Sequence, residues 1–75
     1  MNEFAAELKL LLKKAKISQG ELSRRAHISA THVSNIMNGK RLPTRPTLSK
    51  IIAAIGSNEK DRTKLVAAIG RTKYD

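Results

Sequence analysis

The residues whose chemistry is easiest to interpret lie between positions 30 and 38, where the polar side chains are short and none is acidic. On a helix that turns about 100° per residue, the apolar side chains gather on one side. The opposite side and its flanks carry small and hydrogen-bonding residues: Ala30, Thr31, His32, Ser34, Asn35 and Asn38. Hydroxyl and amide groups suit hydrogen bonding to base edges in the DNA major groove, and an alanine methyl suits contact with thymine. We therefore predict base contacts from the first five of these residues, although an amphipathic helix also presents polar residues to water alone.

Two short helices joined by a tight turn are predicted to position this face, over about residues 18–39. The first is expected over Gln19–Ala26, and it begins with a Ser18-x-x-Glu21 capping box in which each side chain satisfies a backbone amide. The second is expected over Ala30–Met37, with Ser29 as its N-cap and Asn38-Gly39 at its end. This spacing is typical of a helix-turn-helix unit, whose second helix enters the major groove.

The turn between these helices contains His27, at a position where a left-handed backbone conformation is commonly required. Histidine is one of the few residues other than glycine that is enriched in that conformation. We therefore interpret His27 as a turn residue rather than as a pH switch or a ligand. Ser23 is expected inside the angle between the helices, where a small side chain lets their axes approach.

Composition restricts the class of protein. A chain of 75 residues with 40% hydrophobic residues, one Phe and one Tyr favours a single all-α domain built on aliphatic packing. The absence of Cys excludes disulfides and thiolate metal sites. Two isolated His give little support for a metal site, so no cofactor is expected. There is no signal-peptide pattern and no apolar run near the roughly 18 residues of a membrane span, so a cytoplasmic protein without a membrane partner is expected. The chain also lacks a catalytic Ser/His/Asp set, a glycine-rich phosphate loop and paired carboxylates at usable spacing, so an enzyme is not expected.

Charge is the strongest compositional signal, with 15 Lys and Arg against 6 acids and a net charge of +9. No acid occurs from Leu22 through Asn58, a stretch that includes six basic residues: Arg24, Arg25, Lys40, Arg41, Arg45 and Lys50. A basic surface around the two-helix unit indicates a polyanion binder, and a solvated basic face that serves solubility is the alternative. Lys40, Arg41 and Arg45 flank the second helix, where we predict contacts with DNA phosphates.

Three further helices are predicted around this unit. The first runs from Asn2 or Glu3 to Ala15, and its apolar stripe comprises Phe4, Leu8, Leu11, Leu12 and Ala15. The fourth follows the N-cap Thr44 and ends at Gly56, and its stripe comprises Leu48, Ile51, Ile52 and Ile55. The fifth begins within residues 57–61 and ends at Gly70. Its stripe of Leu65, Val66 and Ile69 either covers the core or forms a dimer interface, and both alternatives stay open. Residues 1–70 are expected to form one domain, followed by a flexible tail at 71–75.

The run I-S-Q-x-E-L-x-x-x-A-x-I-S-x-x-x-V-S-x-I-x-N-G-K-R-x-P, followed by L-x-x-I-x-x-A-I-G, resembles the lambda repressor and Cro family of helix-turn-helix regulators. The resemblance covers about residues 3–69 and implies a compact five-helix fold. It further implies phosphate contacts from Gln19, Asn38 and Lys40, which we extend to Ser29. The sequence departs from the family pattern at the common turn Gly, which is His27, and at a base-contacting Gln, which is Ala30.

The resemblance implies a sequence-specific regulator of transcription, by family habit a repressor, that binds double-stranded DNA as a homodimer on a palindromic operator. It also suggests a bacterial or phage origin. A second hypothesis is a protein-interaction module, such as an antitoxin that holds a protein partner. A third, non-specific binding to nucleic acid or RNA, is weakened by the near absence of aromatic residues for base stacking.

Overall fold

Five α-helices follow one another in the computed structural model, which describes residues 3–56 and 58–71. They are α1 (Glu3–Ala15), α2 (Gln19–Ala26), α3 (Ala30–Met37), α4 (Arg45–Ile55) and α5 (Glu59–Arg71). The predicted all-α, five-helix architecture is confirmed, and the predicted bounds of α2 and α3 agree with the observed ones. Within the described ranges, none of the helices combines the length and apolar character needed to cross a lipid bilayer.

The core is assembled around α1, which packs against α3, α4 and α5, while α2 packs against α3 and α4. Phe4 and Leu8 of α1 are completely buried and contribute two of its largest side chains. The predicted stripe of α1 is correct except at Ala15, which is exposed. In α4 only Ile51 is buried, and the other residues of its predicted stripe pack half-buried against the cluster: Leu48, Ile52 and Ile55.

Two helices end in the same backbone motif, which fixes how the chain leaves them. After α1, Lys16 adopts a left-handed conformation (φ 58°) and the amide of Ile17 donates to the carbonyl of Leu12 at 3.0 Å. After α2, His27 adopts the same conformation (φ 56°) and the amide of Ile28 donates to the carbonyl of Ser23 at 3.1 Å. These bonds satisfy carbonyls that would otherwise be orphaned at the helix end. The predicted left-handed turn at His27 is confirmed, whereas the one at Lys16 was not predicted.

The fifth helix covers the core, which corrects part of the sequence interpretation. Leu65 and Ala68 are fully buried, and Asp61 forms an ion pair with Lys14 of α1 at 3.7 Å. Leu65 therefore cannot offer its side chain to a second subunit, because the monomer already encloses it. The helix also continues through Gly70 to Arg71 rather than ending at Gly70. Ser57, which belongs to the predicted start of this helix, and residues 72–75 of the predicted tail lie outside the described residues.

Candidate nucleic-acid interface

The polar side of α3 lies on the outside of the molecule. Ala30 and Thr31 are exposed, and the side chains of His32, Ser34 and Asn35 are partly exposed. The opposite side is buried in the core, through residues that are at most 3% exposed: Val33, Ile36 and Met37. Because α3 packs against α1 and α2 through this apolar side, the five predicted base-contacting residues remain accessible to a ligand.

The turn between α2 and α3 is held by serine side chains. Ser29 is the N-cap of α3, and its hydroxyl accepts a hydrogen bond from the amide of His32 at 3.1 Å. The half-buried hydroxyl of Ser23 donates to the carbonyl of Ile28, on the far side of the turn. A side-chain bond across the turn and a capped start together fix the direction in which α3 leaves the domain. Ser23 and Ser29, which fix the angle between α2 and α3, therefore lie outside the exposed polar face of α3.

The segment after α3 brings two cations beside the exposed face. The carbonyl of Asn35 accepts hydrogen bonds from the amides of Lys40 at 2.9 Å and Arg41 at 3.3 Å. This return of the chain requires a positive φ at Gly39 (76°), which glycine adopts without a steric penalty. Both basic side chains are exposed. Lys40 and Arg41 are thus tied by their backbone to the end of the helix that carries the predicted base contacts.

Arg45 occupies a different place from the other predicted phosphate contacts. It is the first residue of α4, after the N-cap Thr44, whose hydroxyl accepts from the amide of Thr47 at 3.4 Å. Its side chain lines an open groove of ≈ 440 Å³ that also includes Val66 and Ile69 of α5. The structure therefore groups Arg45 with the two remaining candidates for a dimer interface.

The N-terminus of α2 carries Gln19, which is exposed as a phosphate contact would require. The hydroxyl of Ser18 accepts from the amide of Glu21 at 3.1 Å, so half of the predicted capping box is present. The Glu21 carboxylate, expected to close the box on the Ser18 amide, instead forms an ion pair with Arg25. A second nitrogen of Arg25 donates to the carbonyl of Ala54 in the last turn of α4, at 3.4 Å. Arg25 thus links α2 to α4, a structural contact that the sequence interpretation missed.

One polar contact within the exposed face was also not predicted. The side-chain amide of Asn38 donates to the hydroxyl of Ser34 one turn earlier, at 3.3 Å. Asparagine and serine four residues apart on a helix are close enough to bond, so the spacing itself was the available signal. The side chains of Thr31 and Asn35 form no hydrogen bond within the described part of the chain. Over residues 3–56 and 58–71, acidic residues and histidines do not cluster into a group able to hold a metal ion.

Comparison with known families agrees with this geometry. A helix-turn-helix family model matches residues 8–61, which is more than half of the chain and extends from α1 into α5. The comparisons with curated proteins and with solved structures gave no significant match. The matched segment contains α2, the turn and α3, and the five-helix arrangement fits a lambda-repressor-like fold. The chain therefore belongs to the Cro/C1-type helix-turn-helix family of DNA-binding regulators, a family of regulatory domains rather than of enzymes.

Proposed function

We propose that this protein is a sequence-specific transcriptional repressor that inserts α3 into the major groove of double-stranded DNA. The observation that carries the proposal is the exposed polar face of α3 with two cations tied to its C-terminal end. A face of this kind provides hydrogen-bonding groups for base edges, and the adjacent cations provide attraction to the phosphates that border the groove. In this proposal residues 1–70 act as one DNA-binding domain.

The exposed face of α3 supplies the base contacts. Thr31 and Asn35 have side chains free of internal hydrogen bonds among the described residues, so they can bond to DNA without first breaking a hydrogen bond within the protein. Asn35 is suited to a bidentate pair with adenine, and Ala30 to a thymine methyl. Ser34 and the flanking His32 complete the set of base contacts.

Contacts with DNA phosphates are proposed on both sides of the residues that contact bases. Lys40 and Arg41 contact the DNA phosphates beyond the C-terminal end of α3, and Asn38 makes a further phosphate contact there. Gln19 and Ser29 act at the N-termini of α2 and α3, where helix dipoles also favour an anion. Arg45 is the remaining proposed phosphate contact; its side chain lines the groove with Val66 and Ile69, so it contacts the DNA backbone next to the proposed subunit contact. These contacts orient the protein and add affinity without contributing directly to sequence preference.

A homodimer on a palindromic operator is part of the proposal. One α3 helix contacts only a few base pairs, each of which discriminates by about 1–3 kcal/mol. Two helices placed about 34 Å apart add their contributions across two half-sites. Val66 is 51% exposed and lies with Ile69 in the groove beside Arg45, so we place the subunit contact there. Leu65 is excluded from that contact by its burial in the monomer.

Selection of bound duplexes from a random pool tests the proposed function directly. We expect an enriched site with two inverted half-sites, from which specificity and symmetry follow together. Retention of random duplex without enrichment would indicate a non-specific binder. Failure to retain any duplex at low salt would favour the protein-interaction module, such as an antitoxin.

Two substitutions separate base contacts from phosphate contacts. Asn35→Ala should weaken binding to the selected site by about 1–3 kcal/mol and relax preference at one base pair, with little effect on random DNA. Arg41→Ala should weaken binding to all sequences alike and reduce the salt slope by about one. Lys60→Ala, at an exposed cation on α5, is the matched control and should leave the slope unchanged. An equal loss on specific and random DNA with Asn35→Ala would contradict its role.

A further inference from the structure

The hydrogen bond between Asn38 and Ser34 restricts the directions in which the Ser34 hydroxyl can point its proton. The Asn38 amide nitrogen lies 3.3 Å from Ser34 Oγ and donates to it. Asn38 is the C-cap of α3, four residues after Ser34, so the donor approaches the hydroxyl from the C-terminal end of the helix. A hydroxyl has one proton and two lone pairs, and here one lone pair is occupied.

The proton of this hydroxyl has no acceptor in the described part of the protein. A serine inside a helix often donates to the carbonyl four residues earlier, which would be that of Ala30. No such bond is formed, and the only side-chain hydrogen bond of Ser34 within the described ranges is the one it accepts from Asn38. The hydroxyl therefore presents its proton to water in the free protein.

We propose that Asn38 holds Ser34 as a hydrogen-bond donor, so that Ser34 selects a base with an acceptor at its major-groove edge. This inference rests on the proposed insertion of α3 into the groove. The acceptors available there are N7 of either purine, O6 of guanine and O4 of thymine, whereas cytosine presents an amino donor. Asn38 is then a specificity-determining residue that acts through Ser34, in addition to its proposed phosphate contact.

The preference for an acceptor arises because the Ser34 hydroxyl loses its water when DNA covers it. If the base offers no acceptor, this loss costs binding free energy, and a side chain without a donor avoids that cost. In the free protein water satisfies the proton, so the orientation matters only when DNA covers Ser34. We expect removal or weakening of the acceptor opposite Ser34 to reduce affinity about ten-fold. The same change should have little effect when Ser34 has been replaced by alanine.

The test uses a duplex selected by the wild-type protein, in which base analogues replace one base at a time. 7-Deazaguanine and 7-deazaadenine lack the acceptor N7. 6-Thioguanine and 4-thiothymine carry sulfur, a weaker acceptor, in place of O6 and O4. The readout is the affinity for each analogue duplex divided by that for the parent duplex. This ratio cancels any uniform effect of a substitution on DNA affinity.

Wild-type protein should lose about ten-fold in this ratio at one position of each half-site. Ser34→Ala should bring the ratio at that position close to one. Asn38→Asp should do the same, because a carboxylate only accepts hydrogen bonds, so the Ser34 hydroxyl would donate to it rather than to the base. Asn35→Ala is the matched control, since it should lower total affinity while leaving the ten-fold ratio intact. Circular dichroism checks that each variant is folded.

Two results would overturn the inference, and they differ from each other. In the first, a specific site is selected, but every loss of affinity caused by an analogue in the wild type persists in Ser34→Ala and Asn38→Asp. That result would exclude the donor role of Ser34, while the proposed function stands. A pool from which no specific site is selected would remove the proposed function and the inference with it.

Discussion

Leu65 provides the sharpest test of the position of α5. From the sequence alone, this residue could belong either to the core or to a dimer contact. Its side chain is completely buried in the monomer, while the neighbouring Val66 is 51% exposed. Leu65→Ala removes three buried carbon atoms and leaves a cavity, which costs about 2–5 kcal/mol in the free energy of unfolding. For a domain of this size a loss of about 3 kcal/mol lowers Tm by roughly 12–24 °C.

Val66→Ala is the matched control, one residue along the same helix. It removes exposed apolar surface, and alanine favours the helix by up to about 0.7 kcal/mol relative to ordinary residues, so the net change in stability should be near zero at concentrations where the protein is monomeric. Leu65→Met keeps most of the volume and should cost less than about 1.5 kcal/mol. Urea unfolding followed by far-ultraviolet circular dichroism, at several protein concentrations, measures all three variants.

The two possible roles of Leu65 predict different concentration dependence. A core residue lowers stability equally at every protein concentration, whereas a residue that only contacts a second subunit lowers it only where dimers form. A loss below about 1 kcal/mol for Leu65→Ala, equal to that for Val66→Ala, would refute the docking of α5 on the core. So would a loss that vanishes on dilution.

Two further predictions concern the helix ends. Ser18→Ala should lower the free energy of unfolding by about 1 kcal/mol, because the amide of Glu21 loses its capping acceptor; urea titration measures it, and an unchanged midpoint would contradict the cap. His27→Gly should raise the free energy of unfolding by up to about 1 kcal/mol, because relief of the left-handed strain exceeds the entropy that glycine adds to the unfolded chain. His27→Val, which is β-branched, should lower it, and the opposite order of the two variants would be evidence against strain at this turn.

The starts of α2, α3 and α4 were predictable from the sequence because the signals that set them are local. Ser18, Ser29 and Thr44 each accept a bond from the amide three residues later, as N-cap residues do. Such a bond involves neighbours in sequence and does not depend on the rest of the fold. For the same reason the exposed face of α3 was predictable, since its apolar residues occur at helical spacing.

Contacts between distant helices were not predictable in the same way. Arg25 was predicted only as one of the basic residues around the two-helix unit, yet it donates to the carbonyl of Ala54, which is 29 residues away. The left-handed backbone of Lys16 was not predicted either, and it became visible only with the structure. Apolar Ile17 immediately after it was an available signal, because this type of helix ending commonly places an apolar residue there.

The polar requirements of the fold are met largely by residues outside the exposed face, and this has a consequence for specificity. Ser23 and Ser29 satisfy the turn and the start of α3, and Val33 anchors the helix in the core. Thr31 and Asn35 therefore contribute little to stability, so substitution there should change base preference without unfolding the domain. Ser34 differs because its bond to Asn38 couples the two positions: a change at either alters the hydrogen-bonding character of the other. In the proposed complex, a change at either residue alone should therefore weaken the preference at the base pair opposite Ser34.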